Sequence, residues 1–261
     1  MQSKGWRAVT TVAAGVVLSA ASGAVAQEDA AGVAVEEAQP KSFLEGWKGS
    51  IEAGLNGSTG NTERFNFRAG ISGDRETDAM RTKASAIYTY ANEDGDQTES
   101  RVFANLRNDW IINDSPWFLW ALGSFEFDEF QDWDMRLTGA VGGGYEFIKN
   151  DKTTLLGRLG IGASREIGGS DNTIRPEAVI GGDFTHNFTD RQRFTATADL
   201  FPDLSEVGEF RFIGTAAYEI LIDPDNGLSL KLGVADRYDS TPGAGQKRND
   251  LDYFLLLVWS F

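Results

Sequence analysis

The chain has 261 residues, of which 24 are Lys or Arg and 39 are Asp or Glu, so its formal net charge is −15. This acidity argues against nucleic-acid binding, which needs a basic surface, and the lack of Cys excludes a disulfide framework. The mean hydropathy of −0.30 excludes a helical membrane protein. It does not exclude a β-barrel, because a barrel strand is apolar on only one face.

Residues 1–26 have the pattern of a secretory signal peptide. Lys4 and Arg7 give a positively charged start, residues 8–21 form a short apolar stretch, and Ala24-Val25-Ala26 fits a cleavage site. The apolar stretch is too short to span a bilayer, although an uncleaved anchor is the alternative. No Cys follows the cleavage site, which argues against a lipoprotein. The mature chain is therefore expected to begin directly after this site.

Residues 27–45 are rich in Ala, Glu and Gln and show no clean period, so we interpret them as a flexible periplasmic lead-in. From residue 46 to residue 261, strand patterns alternate with turn patterns, and 30 Gly with only 6 Pro favour an all-β chain. The alternation predicts strands over 46–58, 63–75, 79–91, 97–112, 116–130, 134–148, 152–168, 173–188, 191–203, 207–221, 226–238 and 250–261.

Most of these strands alternate apolar and polar residues, as the second one illustrates. Phe65, Phe67 and Ile71 point to one side of it, whereas Arg64 and Arg68 point to the other. A sandwich of two sheets could carry such charges, but strands of this number and length would make it unusually large. A single closed sheet places the apolar face against lipid and the charged face in the lumen. The predicted fold is therefore all-β, an antiparallel transmembrane up-and-down β-barrel of about 12 strands.

An even number of strands places both termini at the same end of the barrel, which is expected to face the periplasm. The predicted turns at that end are short, whereas the longest loop, residues 239–249, lies at the other end. Aromatic residues gather near both ends of the strands, as interfacial girdles do. The predicted periplasmic girdle contains Trp47, Trp110, Trp117, Phe147, Phe188, Trp259 and Phe261, and the outer girdle contains Tyr88, Tyr90, Phe127, Phe201 and Tyr238.

The predicted inward positions carry nearly equal numbers of basic and acidic residues. The basic set is Arg64, Arg68, Arg81, Lys83, Arg101, Arg107, Arg136, Arg158, Arg175, Arg193, Arg211, Lys231 and Arg237. The acidic set is Glu52, Glu99, Asp109, Glu126, Glu146, Glu166, Glu177, Asp183, Asp199, Glu209 and Glu219. Because an unpaired charge in a narrow lumen is costly, we expect cross-strand ion pairs. Inward Phe103, Phe254, Leu256 and Val258 predict local plugging, so the lumen should be narrow and hold at most a small channel.

Nine glycines lie on the sixth to eighth predicted strands, at Gly139, Gly142, Gly143, Gly144, Gly157, Gly160, Gly162, Gly181 and Gly182. They do not form a phosphate-binding loop, because neither a helix nor a Lys follows them. Small residues inside a barrel make room for long neighbouring side chains or allow sharp curvature. A structural role is therefore expected for this cluster.

His186 is the only histidine, and its strand position places it among lipid-facing residues near the periplasmic girdle. Barrel enzymes that act on lipids pair a His with a Ser, and no Ser lies two to four residues from His186. An enzyme is therefore not expected, although a Ser on another strand stays open. The acidic segment 92–96 lacks the ligand spacing of a calcium loop. It and a second acidic segment, 128–134, are interpreted as solvated loops, with cation bridging to lipopolysaccharide as the alternative. No metal and no cofactor are predicted.

Two stretches carry a family resemblance. The first is Gly46-Trp47-Lys48-Gly49-Ser50 followed by Thr59-Gly60-Asn61-Thr62-Glu63. The second is Phe127-Asp128-Glu129-Phe130 followed by Gly142-Gly143-Gly144-Tyr145-Glu146-Phe147. Over residues 45–261 the chain resembles the salt-induced outer-membrane protein family, a domain-of-unknown-function family of Gram-negative bacteria. The resemblance implies an outer-membrane β-barrel and implies no catalytic residues.

The last strand ends on Phe261 and carries Tyr253 and Trp259 on the same apolar face. By resemblance to outer-membrane barrels in general, these three residues are the predicted signal for the barrel assembly machinery. The predicted protein is thus a monomer in the cell outer membrane, in contact with its lipids and lipopolysaccharide. Its predicted role is envelope-structural or the passage of small solutes through a narrow channel. The alternatives are a barrel enzyme acting on lipids and a soluble periplasmic binding protein.

Overall fold

The computed structural model describes residues 45–58, 63–169, 172–243 and 245–261. Within them, successive antiparallel strands form a closed barrel in which the first strand pairs with the last. The strands are β1 (Trp47–Ser58), β2 (Arg64–Glu76), β3 (Met80–Glu93), β4 (Asp96–Ile111), β5 (Trp117–Asp128), β6 (Met135–Lys149), β7 (Thr153–Ile167), β8 (Ile174–Thr189), β9 (Gln192–Pro202), β10 (Phe210–Asp223), β11 (Leu228–Asp239) and β12 (Asn249–Ser260). The predicted all-β barrel of 12 strands is confirmed.

The predicted signal peptide, 1–26, lies outside the described residues, as does the predicted lead-in, 27–45, except for its last residue. The part of the chain that the structure describes contains no helix long and apolar enough to cross a membrane. The first described strand begins at Trp47.

The strand boundaries differ most from the predicted ones where side chains fold a turn. Asp203 accepts hydrogen bonds from the backbone N–H groups of Ser205 and Glu206, at 2.6 and 3.1 Å, so β10 begins only at Phe210. In the acidic segment 92–96, predicted as a loop, the strands are longer than predicted and the loop is only two residues long. Asp94 and Gly95 have φ angles of 52° and 90°, which the tight turn of a two-residue hairpin requires, so β3 and β4 extend to its edges.

The barrel is apolar outside and charged inside, the reverse of a water-soluble barrel. On the outside, Leu55 and Tyr253 are 75% and 74% exposed, whereas Asp109 and Arg158 in the lumen are buried. The other exposed apolar residues include Ile51, Ile71, Leu106, Leu119, Val141, Leu159, Ile161, Ile180, Leu232 and Leu257. An apolar surface that continues around a closed sheet is unfavourable in water and favourable in lipid.

The two ends of the barrel differ in their connections. The end that holds Trp47 and Ser260, here called the terminal end, has connections at 77–79, 112–116, 150–152, 190–191 and 224–227. The opposite end, here called the loop end, has the longest connection between described strands, 240–248, as predicted. Trp110, Trp117, Phe147 and Phe188 are exposed near the terminal end, which agrees with an aromatic girdle there.

Glycines of β6 and β7 make room for large rings in the lumen. The Trp120 ring lies against Gly142 and Gly160, where a Cβ atom would collide with it, and the Phe118 ring lies against Gly144 in the same way. The Trp120 Nε1–H donates a hydrogen bond of 3.0 Å to the Gly143 carbonyl. The expected structural role of the glycine cluster is therefore confirmed at these positions.

Phe201, predicted in the outer girdle because it lies near the end of its strand, does not face outwards. It is only 4% exposed, so this prediction is wrong. It is the register partner of Arg211, and the Arg211 guanidinium lies 5.0 Å from the Phe201 ring centroid in the lumen. Alternation along β9, rather than proximity to the strand end, decides on which side of the sheet this ring lies.

Adjacent glycines of β6 offer a matched test of this packing. We expect Gly142→Ala to lower the free energy of unfolding by about 1–3 kcal/mol, because the new methyl group would collide with the Trp120 ring and the Leu159 carbonyl. Gly143→Ala should change it far less, because no neighbouring atom lies within 4 Å of a Cβ atom there. Urea unfolding in lipid vesicles, followed by Trp fluorescence, measures both; equal effects would contradict the packing described here.

Candidate functional site in the lumen and at the closing strand

A chain of ion pairs crosses the lumen in the terminal half of the barrel. Arg107 on β4 contacts Asp109 at 3.1 Å and also hydrogen-bonds Asp183 on β8. Arg158 on β7 donates to Asp183 at 2.9 Å and to Asp199 on β9 at 2.6 Å. Asp183 thus joins two arginines from different strands, and the expected cross-strand ion pairs are confirmed.

Arg81 extends this network towards β6. Its guanidinium lies 3.6 Å from Asp109, hydrogen-bonds Glu146, and lies 5.0 Å from the centroid of the Phe118 ring. Arg81 and Asp109 are buried and Glu146 is half-buried. Breaking a buried ion pair by removing one partner costs about 3–5 kcal/mol. The network therefore holds its side chains in fixed positions across the lumen.

Apolar side chains fill the space around the network. Phe118 and Trp120 are 1% and 2% exposed, and Leu156 and Val179 pack with them in one cluster. The predicted plugging residues Leu256 and Val258 are also buried, whereas Phe103 and Phe254 are only half-buried. Phe118 and Trp120 are not among the predicted inward residues, although their alternation with Trp117 and Leu119 in the sequence indicates that they share one face of the strand. Ring packing and ion pairs thus occupy much of the space in the terminal half of the lumen.

The loop end of the lumen remains open as a vestibule of about 220 Å³. Arg136 forms part of its wall, hydrogen-bonding Glu166 and Asp239, the latter at 3.2 Å, with its guanidinium 4.6 Å from the Trp133 ring centroid. Its remaining lining is mixed in charge and includes Glu126, Asp128, Asp132, Arg175, Arg211, Arg237, Lys247, Arg248 and Asp250. Such a wall suits a small polar solute of either sign, since neither sign of charge dominates.

The predicted assembly-signal residues lie together on the outer face of β12 and just beyond it. Tyr253, Trp259 and Phe261 are 74%, 53% and 65% exposed, and the rings of Trp259 and Phe261 lie 5.7 Å apart. Phe261 and Gly49 exchange two backbone hydrogen bonds of 2.9 Å, and the Phe261 ring covers Gly49. The terminal residue therefore also takes part in closing the barrel.

His186 lies on the outside near the terminal end, as predicted. Its Nδ1 atom is 2.8 Å from the Thr153 hydroxyl oxygen on the neighbouring strand, and its ring packs beside Phe184 and Phe188. The sequence could not identify Thr153 as the partner of His186, because the contact depends on the register between β7 and β8. A hydrogen bond to Thr153 is what a polar ring needs among apolar neighbours.

The acidic segments use their carboxylates to fold turns. Asp94 accepts a hydrogen bond of 2.8 Å from the Glu63 N–H, and Asp128 accepts one of 3.0 Å from the Phe130 N–H. Among the described residues, no cluster of three or more His, Cys, Asp or Glu side chains is arranged to hold a metal ion. These contacts account for the positions of both carboxylates without a cation.

Three solved structures illustrate what the chain is similar to. The NanC porin is 10% identical, with 82% of this chain and 96% of that chain covered and a TM-score of 0.43. The translocator domain of the autotransporter NalP from Neisseria meningitidis is 12% identical, with 83% and 88% covered and a TM-score of 0.46. An outer membrane channel from Pseudomonas putida F1 is 9% identical, with 82% and 94% covered and a TM-score of 0.44.

A comparison of the chain with curated proteins found no match. The model of one protein family, DUF481, described as a protein of unknown function, matches residues 51–261. The match covers nearly the whole barrel and confirms the predicted membership of a domain-of-unknown-function family. The chain belongs to the DUF481 family.

Proposed function

We propose that this protein is an outer-membrane β-barrel with an envelope-structural role, whose lumen is closed at the terminal end. The observation that carries the proposal is the packing of Phe118 and Trp120 beside the Arg107–Asp183–Arg158 chain of ion pairs. A solute that crossed the barrel would have to displace both rings and separate buried charges. Only a small solute that displaces these side chains could therefore pass through this half of the lumen.

The outer surface supports the membrane location. Leu55 on β1 and Leu159 and Ile161 on β7 expose 65% or more of their surface on the outside, and these two strands are far apart in the closed sheet. The soluble periplasmic alternative would need the apolar residues in the lumen and the charges outside, since a water-soluble barrel buries its apolar face. The predicted signal peptide and the predicted periplasmic position of both termini belong to the same proposal.

The Thr153–His186 contact does not favour the alternative of a lipid-processing enzyme. A hydroxyl activated for attack needs a base that is held by a third group and a nearby site that stabilises negative charge. The ring neighbours of His186 are Phe184 and Phe188, which supply neither. The structural explanation of the contact is sufficient, and we assign no catalytic role.

Single-channel recording in planar bilayers tests the closed lumen. We expect the wild type to give no steady conductance. The double variant Phe118→Ala, Trp120→Ala should give small but steady openings, because removing both rings empties most of the apolar packing beside the ion pairs.

The control for this experiment is the double variant Trp110→Ala, Trp117→Ala, in which two exposed rings near the same end are removed from the outside. It should stay at the wild-type baseline. Each variant must first show the change in gel mobility on boiling that marks a folded barrel. A steady open conductance in the wild type would contradict the proposal.

Recognition of the last strand by the barrel assembly machinery is part of the same proposal. Deleting Phe261 should lower insertion into the outer membrane severalfold, as measured by the fraction of protein in that membrane. Phe188→Ala should leave insertion unchanged, because it removes an exposed aromatic ring near the same end but from β8.

Folding without the machinery separates recognition from closure. In vesicles of short-chain lipids alone, the Phe261 deletion should fold at nearly the wild-type yield if its main loss is recognition. An equal loss of yield in these vesicles would show that the Phe261–Gly49 pair acts chiefly in closing the barrel, and it would contradict the recognition proposal.

A further inference from the structure

The ladder between β1 and β12 is much shorter than its neighbours. It pairs four residues of each strand, Ser50–Ala53 with Leu257–Ser260, and the Gly49–Phe261 pair adds one more step at the terminal end. The β1–β2 ladder, in contrast, continues to Ser58, and the β11–β12 ladder continues to Asn249. Gly54 still lies against the Leu255 carbonyl, so β1 and β12 remain in contact for one residue past the ladder. Beyond Gly54 each strand continues to pair with its other neighbour but not with the strand across the seam.

The separation leaves a cavity of about 350 Å³ at this seam, here called the seam cleft. Its outer part is lined by apolar residues that point out of the barrel, among them Leu55, Tyr253 and Leu255, which are 60–75% exposed. Its inner part is lined by polar residues that point into the lumen, namely Asn56, Asn66, Arg68, Glu99 and Asp252. The seam cleft thus connects an apolar exterior with a polar interior.

Arg68 lies at the inner part of the cleft and makes a long ion pair there. Its nearest carboxylate contact within the described residues is Glu52, at 3.8 Å, and Glu52 is already bound by Lys231 at 2.8 Å. The Arg68 Nε atom is buried without a hydrogen-bond partner in the described structure. The guanidinium also lies 4.8 Å from the centroid of the Phe254 ring, so an aromatic contact helps to position it beside this long ion pair.

The two carboxylates that line the cleft, Asp252 and Glu99, differ in how closely they are neutralised. Asp252 accepts a hydrogen bond of 3.0 Å from Arg237 and lies 3.7 Å from Arg101, which also contacts Glu99. Glu99 has only this contact, at 4.0 Å, whereas the buried Nε–H of Arg68 has no hydrogen-bond acceptor in the described structure. An acid group would supply the missing acceptor, which a cationic group could not do, so the unsatisfied donor favours an anionic ligand.

We propose that the seam cleft binds an anionic single-chain amphiphile, with the acyl chain against Leu55, Tyr253 and Leu255 and the acid group at Arg68. The cavity volume lies at the lower end of the range for small-molecule sites, ~300–1,000 Å³, which suits one chain better than a lipid with several. A ligand here would also cover strand edges that are otherwise left unpaired towards the loop end. The proposal rests on the membrane location but not on the closed lumen.

Photo-crosslinking in vesicles of zwitterionic phosphatidylcholine tests the site. The probe is a fatty acid that carries a diazirine on its chain, and the labelled residues are found by mass spectrometry. We expect labelling to concentrate on Leu55, Tyr253 and Leu255. Arg68→Gln should weaken it roughly tenfold, because a charge-assisted hydrogen bond is lost. The control Arg64→Gln removes an exposed arginine on the same strand that is paired with Glu93, and it should keep wild-type labelling.

A reversible disulfide provides a second test that does not depend on how well Arg68 variants fold. The chain has no Cys, so the pair Leu55→Cys, Leu255→Cys introduces the sole disulfide and closes the cleft on oxidation. Oxidation should abolish labelling at Tyr253, and reduction should restore it. The control pair Ala53→Cys, Leu257→Cys lies in the paired part of the ladder and should leave labelling unchanged in both states.

Competition identifies the source of the acid group. Displacement of the probe by oleate assigns a carboxylate ligand, and displacement by a lysophosphatidic acid assigns a phosphate ligand; either result supports the proposal. It is overturned if neither competes, if a neutral alcohol probe labels the same residues equally well, or if labelling spreads evenly around the barrel. None of these readouts depends on conductance, so failure here is distinguishable from failure of the closed-lumen proposal.

Discussion

Closure of the sheet is the constraint on which the rest of the structure depends. Only when β1 meets β12 does every strand have a partner on both sides, as backbone groups in hydrocarbon require. Closure then sorts the alternating side chains into an apolar exterior and a charged lumen. The lumen charges, removed from bulk water, must neutralise one another, and Asp183 does so between Arg107 and Arg158. The ion-pair network is thus a consequence of closure as well as a support for it.

Period-two alternation was sufficient to predict the strands, the barrel and most inward charges, because it reports directly on which face each side chain occupies. It could not predict which charges meet. Lys231 and Glu52 are far apart in sequence and come together only through the order and stagger of the strands around the barrel. The Thr153–His186 contact was missed for the same reason, since it depends on the β7–β8 register. Phe201 was misassigned where strand-end position was used in place of alternation.

The aromatic plug shows how local sequence and long-range packing combine. Trp120 fits the lumen because Gly142 and Gly160 on two other strands remove the side chains that would occupy its place. The glycine cluster was visible in the sequence, but the rings that it accommodates became identifiable only once β5, β6 and β7 were in register. Tight packing of this kind is the basis of the proposed closure of the terminal half, and the vestibule lies at the loop end.

The last strand, β12, is hydrogen-bonded to β1 near the terminal end but not along the rest of its length. Near the terminal end, the Phe261–Gly49 pair and the short ladder beside it hold β12 against β1. Farther along, the same strand leaves β1 and exposes Tyr253 beside a cleft that reaches Arg68. Arg158, which meets two carboxylates at 2.9 and 2.6 Å, has little capacity for a ligand. Arg68, which meets one carboxylate at 3.8 Å, retains that capacity. The difference in pairing, more than the total charge of the lumen, distinguishes Arg158 from Arg68, the arginine that lines the cleft.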